Sequence, residues 1–411
     1  MEILTRKTCR VCDSSRLTEL YSLGNLCISN FVKETSEEVP AAPLEMILCE
    51  NCSLVQLRHT APQELLYARF YWYRSGVTDT MKKALREITE EIENFLPLKA
   101  GDVVLDIGSN DGTLLRTYSV PGLVTVGVEP ASNLAEEGKQ GLSHFIDDFW
   151  NIESYQRRIG KKARVITAIG MFYDMEDPNL FIRDTAMALS EDGIFVAQLM
   201  CLKNMIDTGD VGNICHEHLE FYSLSALQYL FKKNGLQILD VTRNEVNGGS
   251  YRIYAALQEG KMKPTASQNV RVKRLFEEEK GLDRKETHRA FFEKMESNKK
   301  KCVDFIKSEV AKGKKVWVYG ASTKGNTLLQ YYGLDASLIG GASDRSPEKW
   351  GKLTVGTRIP IYSEEEARRF NPDYFLVLPY AFLDEFYKRE SLWRSQGGKF
   401  IVPLPEFRVV P

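Results

Sequence analysis

Long apolar runs are absent from this sequence, and no stretch approaches the roughly 20 residues that span a bilayer. The opening segment MEILTRKTCRVC also lacks the apolar core of a secretory signal. We therefore expect a cytoplasmic protein with no membrane partner. Neither sign of charge is in large excess, since the chain has 54 Lys and Arg and 56 Asp and Glu, and it contains no long basic run. This balance argues against a nucleic-acid partner and favours a small-molecule substrate.

The length of 411 residues predicts two or three domains, and we expect the chain to be a monomer. The strand-like runs VVLDIG, VTVGVEP, ARVITAI and GIFVAQLM alternate with helical segments, which is typical of a doubly wound α/β sheet. A similar pattern starts again near residue 314. The predicted parts are a metal module (1–60), a helical bridge (61–100), an α/β domain (101–262), solvated connecting helices (263–312) and a second Rossmann-like α/β domain (313–411).

Cysteine is scarce, and eight residues in a chain of this length do not form a disulfide framework. Four of the eight form two C-x-x-C pairs that are about 36 residues apart. Each spacer lets both thiolates of a pair bind one ion, and two pairs complete a tetrahedral zinc site with no open position. The sequence therefore predicts a structural zinc site whose ligands are Cys9, Cys12, Cys49 and Cys52. An iron centre and thiols without a metal are the alternatives.

A glycine-rich turn follows the first strand of the central domain, in the segment VVLDIGSNDGTLL. Gly108 permits a sharp turn, and Glu129, about 20 residues downstream of the turn, can accept hydrogen bonds from a ribose diol. The turn is acidic and lacks the G-x-G-x-x-G spacing, so it favours the sulfonium cofactor S-adenosylmethionine (SAM) over a dinucleotide. Ser109 or Asp111 could instead cap the next helix. The candidate cofactor residues are Asp106, Gly108, Asn110, Asp111, Gly112, Glu129 and Met171.

Histidine is rarer still, and two of the five histidines flank Glu217 in the tripeptide 216–218. An imidazole suits proton abstraction near neutral pH, and a neighbouring carboxylate can orient the ring. The tripeptide therefore predicts a general base, with Glu217 and either His216 or His218 as its parts. A second metal site and a purely structural role for His216 are the alternatives.

In the C-terminal domain, the loop GASTKGN offers backbone N–H groups and a lysine near a helix start, which suits a diphosphate. Asp344, at the end of the next strand, could contact a ribose or only cap a turn. The candidate substrate residues are Ser322, Lys324, Asn326 and Asp344. A second cofactor or a domain that only packs are the alternatives for this part of the chain.

Several motifs occur in a characteristic order: the paired cysteines, FYWYRSG, LDIGSNDG, HEHLEFYSL, NGGSYRIY and YGASTKGNTLL. In this order they resemble the sugar C-methyltransferases of deoxysugar biosynthesis. The resemblance implies a zinc module, a class I SAM methyltransferase domain and a second Rossmann-like domain that helps to hold a nucleotide sugar. It also implies methylation of C-3 in a nucleotide-linked 4-keto-6-deoxy sugar, with a dTDP or GDP carrier.

The resemblance assigns the base to His218, with Glu217 and His216 matching the same run. Cys215 stands where the family has tyrosine, and Asp174 stands where the family tends to have histidine. A tyrosine before the SAM domain also reaches the active site in that family, and either Tyr71 or Tyr73 matches it.

The implied chemistry is coherent. A 4-keto group acidifies the adjacent C-3 proton, a base removes it, and the enolate carbon attacks the SAM methyl group. Tyr73 and His216 are the candidate donors to the enolate oxygen. Two other functions stay open from the sequence, namely an NAD-dependent nucleotide-sugar oxidoreductase and a zinc-module binding protein with a non-catalytic methyltransferase domain.

Overall fold

The N-terminal module is built on antiparallel strands. The computed structural model describes residues 3–28, 30–62, 66 and 73–411. The strand Ala41–Cys49 is almost wholly apolar, and the consecutive residues Met46, Ile47 and Leu48 are all buried in it. The strands are β1 (Leu4–Thr5), β2 (Leu17–Cys27), β3 (Phe31–Val32), β4 (Ala41–Cys49), β5 (Val55–Leu57) and β6 (His59–Thr60).

The predicted helical bridge contains helix α1 (Asp79–Phe95). The Thr78 side chain accepts a hydrogen bond from the Met81 N–H and so caps the first turn. Leu85, Ile88 and Ile92 lie on one buried face, which packs in one apolar cluster with the central sheet. The sequence-based expectation for Tyr71 falls outside the described residues.

The central sheet has seven strands in the order β13-β14-β11-β10-β7-β8-β9, and only β14 is antiparallel to its neighbours. Its strands are β7 (Val103–Ile107), β8 (Val124–Val128), β9 (His144–Ile146), β10 (Ala163–Ile169), β11 (Leu189–Met200), β13 (Leu236–Asn244) and β14 (Ser250–Leu257). A further short strand, β12 (Glu220–Phe221), lies outside this sheet and joins the sheet of the N-terminal module. The helices are α2 (Ala135–Gly138), α3 (Ile152–Arg158), α4 (Pro178–Ala188), α5 (Leu202–Thr208) and α6 (Leu224–Lys233).

The order in which strands are added to the sheet reverses between β7 and β10, because β8 and β9 extend one side of β7 and β11 extends the sheet beyond β10 on the other side. In open α/β sheets this switch point opens a crevice at the carboxyl ends of the strands. The sequence-predicted glycine turn and the residues after β10 both lie at this edge.

Two helices connect the domains, α7 (Ala266–Glu278) and α8 (Lys285–Ala311). The expectation that both are solvated is wrong for α8, which buries Phe291, Met295 and Ile306. Phe292 also stacks on Tyr21 of β2, with ring centroids 4.4 Å apart. The helix is therefore a packed element between the N-terminal and C-terminal sheets.

The C-terminal sheet has six strands in the order β18-β16-β15-β19-β20-β21, and only β21 runs antiparallel to its neighbour. Its strands are β15 (Val316–Tyr319), β16 (Ala342–Asp344), β18 (Ile361–Ser363), β19 (Tyr374–Val377), β20 (Lys399–Val402) and β21 (Arg408–Val410). Strand β17 (Leu353–Thr354) pairs with β3 of the N-terminal module. The helices are α9 (Thr323–Tyr332), α10 (Glu364–Arg369), α11 (Leu383–Arg389) and α12 (Ser391–Ser395). Across the described residues, no helix has the length and apolar character that a membrane crossing needs.

Candidate active site and metal centre

The paired cysteines meet in one cluster, in which all four Sγ atoms lie within 4.8 Å of one another. Each pair sits in a tight turn, because the N–H of Asp13 donates to Cys9 O at 3.0 Å and the N–H of Ser53 donates to Cys49 O at 2.9 Å. Four thiolates about 2.3 Å from one ion require sulfur separations of this size. The set therefore fits a zinc ion in a closed site with no position for a catalytic water.

One cavity of about 580 Å³ opens at the switch point of the central sheet. Its wall combines the ends of β7, β8 and β10 with three other stretches of chain, which are residues 73–85, residues 212–218 and residues 322–328. Leu378, Pro379, Tyr380 and Phe382 of the C-terminal domain also line the cavity. The cavity thus brings the sequence-predicted cofactor, base and substrate segments to one place.

The glycine turn shapes the cofactor side of this cavity. Gly108 has a φ of +70°, and a Cβ there would lie 2.8 Å from Met171 Cγ. Only glycine fits both constraints. Asn110 is also left-handed, with φ +51°, and its backbone N–H donates to Glu129 Oε2 at 2.9 Å. Gly108, Asn110, Glu129 and Met171 all line the cavity.

The carboxylate of Glu129 is held in one orientation at the cavity wall. Its second oxygen accepts from the Ala131 N–H at 2.9 Å, so the carboxylate is fixed by two backbone donors. The side chain is 6% exposed, and burial raises its pKa. The remaining lone pairs of a fixed carboxylate at the end of β8 suit the paired hydroxyls of an adenosine.

The other three predicted cofactor residues lie behind the cavity wall. Asp106 accepts from Thr167 Oγ1 at 2.6 Å, and burial raises its pKa to about 7. Asp111 accepts from the Gly76 N–H at 2.6 Å, and Asn110 Oδ1 accepts from the Ser75 N–H at 2.9 Å. A Cβ on Gly112 would lie 2.6 Å from a backbone oxygen. These residues hold the turn and fasten segment 73–76 over it.

Sequence reasoning missed two aromatic residues on the cofactor side. Phe149 and Trp150 follow β9 and line the cavity. The Trp150 Nε1 is buried and has no hydrogen-bond partner among the residues that the structure describes. Their position just after the third strand of the sheet, at the same edge as Glu129, was the available signal.

The base candidate His218 lies in the cavity wall and is 5% exposed. Its Nδ1 lies 2.7 Å from Asn213 O, and a carbonyl can only accept, so Nδ1 carries the proton. Burial lowers the pKa of His218 well below its usual range, and the positive charge of Lys324 lowers it further. The ring is therefore neutral at pH 7, and Nε2 is the nitrogen left to accept a proton.

Other residues of this segment divide between two sides. Glu217 and Cys215 line the cavity together with Asp174, which lies in the turn after β10. His216 points away, because its Nε2 lies 2.9 Å from Ala42 O in the N-terminal module. The structure therefore places His216 in a structural position and outside the cavity wall. Tyr73 lines the cavity and is 46% exposed.

Two of the four predicted substrate residues face the cavity. Ser322 lines it and caps α9, since its Oγ accepts from the Gly325 N–H at 3.0 Å. Lys324 lines it and donates to Asn213 Oδ1 at 2.9 Å. Asn326 instead donates to Asn30 O at 2.7 Å, and neither it nor Asp344 lies in the cavity wall.

Asp344 forms an ion pair with Lys349. Lys349 Nζ lies 3.2 Å from its Oδ2, and the same ammonium donates to Ala321 O at 2.8 Å. The negative charge of Asp344, at the end of β16, is thus balanced by a lysine of the same domain. This argues against a ribose at that point.

A contact between domains was also missed. Tyr380 lines the cavity, and its hydroxyl hydrogen-bonds to Asp210, which is 2% exposed. Asp210 accepts from the Gly212 N–H at 2.7 Å, and a Cβ at Gly212 would lie 3.2 Å from Tyr380. Burial raises the pKa of Asp210. The position of Tyr380 just after β19 marks it as an edge residue of the C-terminal sheet, but no motif in the sequence pairs it with Asp210.

Three family models match the chain. They are described as "Putative zinc binding domain" (residues 9–67), "Methyltransferase domain" (80–241) and "C-methyltransferase C-terminal domain" (245–405). A curated relative, C-methyltransferase NovU from Streptomyces niveus, is 29% identical over 409 residues, which is 98% of this chain and 96% of the relative. The matches thus extend over all three parts of the molecule.

Two solved structures resemble part of the chain. A SAM-dependent methyltransferase from Clostridium acetobutylicum ATCC 824 is 17% identical and covers 44% of this chain and 93% of its own, with a TM-score of 0.33. Magnesium protoporphyrin IX methyltransferase from Synechocystis PCC 6803 is 12% identical and covers 45% of this chain and 90% of its own, with a TM-score of 0.35. The assignment therefore depends on the family models and the curated relative, which together cover the chain.

The central sheet order, with its single antiparallel strand, is that of the class I methyltransferases. The cysteine cluster coincides with the zinc-binding match. The chain is a SAM-dependent C-methyltransferase that combines an N-terminal zinc-binding domain, a class I methyltransferase domain and a C-methyltransferase C-terminal domain.

Proposed function

We propose that this enzyme transfers a methyl group from SAM to C-3 of a nucleotide-linked 4-keto-6-deoxy sugar. The observation that carries the proposal is the position of His218. Its neutral ring lines the same cavity as the glycine turn and the C-terminal loop. The resemblance of the motifs to sugar C-methyltransferases supports the choice of substrate class.

On the cofactor side, Glu129 accepts from the ribose hydroxyls, and Gly108 lets the backbone approach the cofactor closely. Phe149 and Trp150 offer apolar surface for the adenine. SAM supplies an electrophilic methyl group when it is bound. The cysteine site offers no open position to the reacting groups, because four thiolates complete its coordination.

On the substrate side, His218 Nε2 takes the C-3 proton that the 4-keto group acidifies. The negative charge that develops on the keto oxygen needs a donor, and the Tyr73 hydroxyl is our candidate because it lines the same cavity. A well-placed donor of this kind is worth about 2.7–4 kcal/mol. His216 is no longer a candidate, since its ring is engaged with Ala42.

The carrier diphosphate lies against the start of α9, where Ser322 and Lys324 line the cavity. Backbone N–H groups at a helix start and a lysine side chain are suited to phosphate oxygens. A diphosphate at this position lies close to the base, because Asn213 contacts both Lys324 and His218.

The two other functions lose support. The methyltransferase family matches favour methyl transfer over an NAD-dependent oxidoreductase. In addition, Lys349 pairs with Asp344, the acid that would bind the ribose of a dinucleotide in the C-terminal domain. A binding protein with a non-catalytic domain does not account for the assembled cavity.

The test is a panel of dTDP-linked and GDP-linked 4-keto-6-deoxy sugars incubated with methyl-¹³C SAM. We expect one carrier to be preferred and the labelled methyl carbon to be bonded to C-3 in the product spectrum. Without SAM, the C-3 proton of the same substrate should exchange with deuterated water. A methyl group on oxygen or nitrogen, or on another ring carbon, would contradict the proposal.

A further inference from the structure

The segment that carries His218 is part of the N-terminal sheet. Strand β12 pairs antiparallel with β5, with Glu220 opposite Gln56 and Phe221 opposite Val55. One residue after the base, Leu219 O accepts from the Leu57 N–H at 2.9 Å. Leu219 N–H in turn donates to Tyr173 O at 2.9 Å. The backbone next to His218 is therefore held between the zinc module and the turn after β10.

Arg10 fixes the same region from within the first cysteine pair. It is 1% exposed, and its Nη1 donates to Leu57 O at 2.5 Å and to Gln56 Oε1 at 3.1 Å. Its Nε donates to Glu176 Oε2 at 3.2 Å, and Glu176 lines the cavity. One guanidinium thus joins strand β5 to the loop that forms the substrate side of the cavity.

The zinc module also holds both oxygens of Glu176. Arg6 Nη1 donates to Oε1 at 2.8 Å, and Thr60 Oγ1 donates to Oε2 at 2.5 Å. Thr60 itself accepts from Arg10 Nη2 at 2.6 Å. The cofactor turn has different partners, since Asn110 and Asp111 bind residues 73–76.

We propose that the zinc module positions the substrate side of the active site, with Arg10 as the positioning residue. The two cysteines that flank Arg10 fix its backbone, and its guanidinium fixes β5, Thr60 and Glu176. Through the β5–β12 pairing the same contacts fix the backbone beside His218. The catalytic consequence rests on the proposed role of His218 as the base.

The charge around Arg10 decides which variant tests the proposal. Arg10 Nε lies 3.8 Å from Glu220 Oε1, and the Glu220 side chain is fully buried. Burial raises the pKa of Glu220 well above its usual range and the positive charge of Arg10 lowers it, so removing that charge would alter a buried acid as well as the hydrogen bonds of Arg10. Arg10→Lys keeps the charge but loses the fork of donors. Arg58→Lys is the matched control, because Arg58 pairs with Glu19 and Glu45 on the exposed side of the same module.

The experiment uses the zinc-loaded full chain and measures zinc content, SAM affinity, turnover and amide hydrogen exchange by mass spectrometry. For Arg10→Lys we expect unchanged zinc content and SAM affinity, with faster exchange confined to residues 171–177 and 215–222. Turnover should fall about tenfold or more, since small displacements of catalytic groups cost rates of this order. Arg58→Lys should match the parent protein in every measurement.

Thr60→Val provides a second variant, since it removes the hydroxyl that joins Arg10 to Glu176 and keeps the side-chain shape. It should raise exchange in residues 171–177. The exchange measurement needs no sugar, so it decides this inference even where the proposed substrate is wrong. Unchanged exchange in both segments, or an even rise across the whole chain including residues 103–115, would overturn the proposal and leave the module a purely stabilising part.

Discussion

The Nδ1 of His218 donates to the backbone oxygen of Asn213 across 2.7 Å. This bond fixes the tautomer of the buried ring, because the carbonyl accepts and Nε2 is left without a proton. The side-chain oxygen of Asn213 accepts from Lys324 at 2.9 Å. The proposed base and the proposed diphosphate site therefore share one residue.

Replacing His218 with Asn should lower turnover by about 10²–10⁴-fold, which is the usual contribution of a positioned general base. SAM affinity should stay normal, because the cofactor residues lie on other strands. Exchange of the C-3 proton with deuterated water should also disappear. His216→Asn is the control and should retain this exchange, since His216 contacts Ala42 and not the cavity. Exchange that survives in His218→Asn would assign the base elsewhere.

The pH dependence of kcat/KM should report the charge of Lys324. Burial and this ammonium lower the pKa of His218, so the unprotonated base persists below pH 6.5 and activity should extend to that range. Lys324→Met removes a positive charge that opposes protonation, so the acidic limb of the profile should move to higher pH. Lys324→Arg keeps the charge and should leave the limb in place. An acidic limb that stays fixed in Lys324→Met would remove Lys324 from the electrostatics of the base.

The parts of the site that the sequence could predict are those with local determinants. A strand, a glycine turn and a downstream acid place Gly108 and Glu129 at one sheet edge, and two short cysteine pairs predict a common metal site. The rest depends on contacts between distant residues. Arg10 and Glu176 are 166 positions apart, and Tyr380 reaches Asp210 from another domain.

Helix α8 shows a second limit of the sequence. Its charged composition predicts a solvated helix, yet Phe291, Met295 and Ile306 form a buried face against neighbouring sheets. A helical pattern shows which face is apolar but not which element covers it. His216 was ambiguous for the same reason, because only the fold reveals that its ring meets Ala42 O.

Glu129→Gln should weaken SAM binding by roughly ten- to a hundredfold, because losing a hydrogen bond to a charged acceptor costs about 1.5–3 kcal/mol. Calorimetry with SAM measures the change directly. Asp102→Asn is a suitable control, since Asp102 precedes β7 at the opposite edge of the sheet. Asp106→Asn should weaken SAM binding less than Glu129→Gln does, because Asp106 lies behind the cavity wall and accepts a hydrogen bond from Thr167. Equal SAM affinity in Glu129→Gln and the parent would move the ribose site away from β8.

Purified protein should contain about one zinc ion per chain, since four converging thiolates supply a full tetrahedral set. Cys49→Ser should release the metal and lower the free energy of unfolding by several kcal/mol, because binding of a structural metal contributes directly to folding. Metal analysis and thermal unfolding measure the two effects together.

Cys27→Ser is the matched control, because Cys27 lies in the same module but outside the cluster, and it should keep both the zinc and the melting temperature. Chelation of the parent protein should reproduce the Cys49→Ser behaviour, and re-addition of zinc should reverse it only in the parent. A metal-free protein that unfolds at the same temperature as the zinc-loaded one would show that the cysteine cluster does not stabilise this fold.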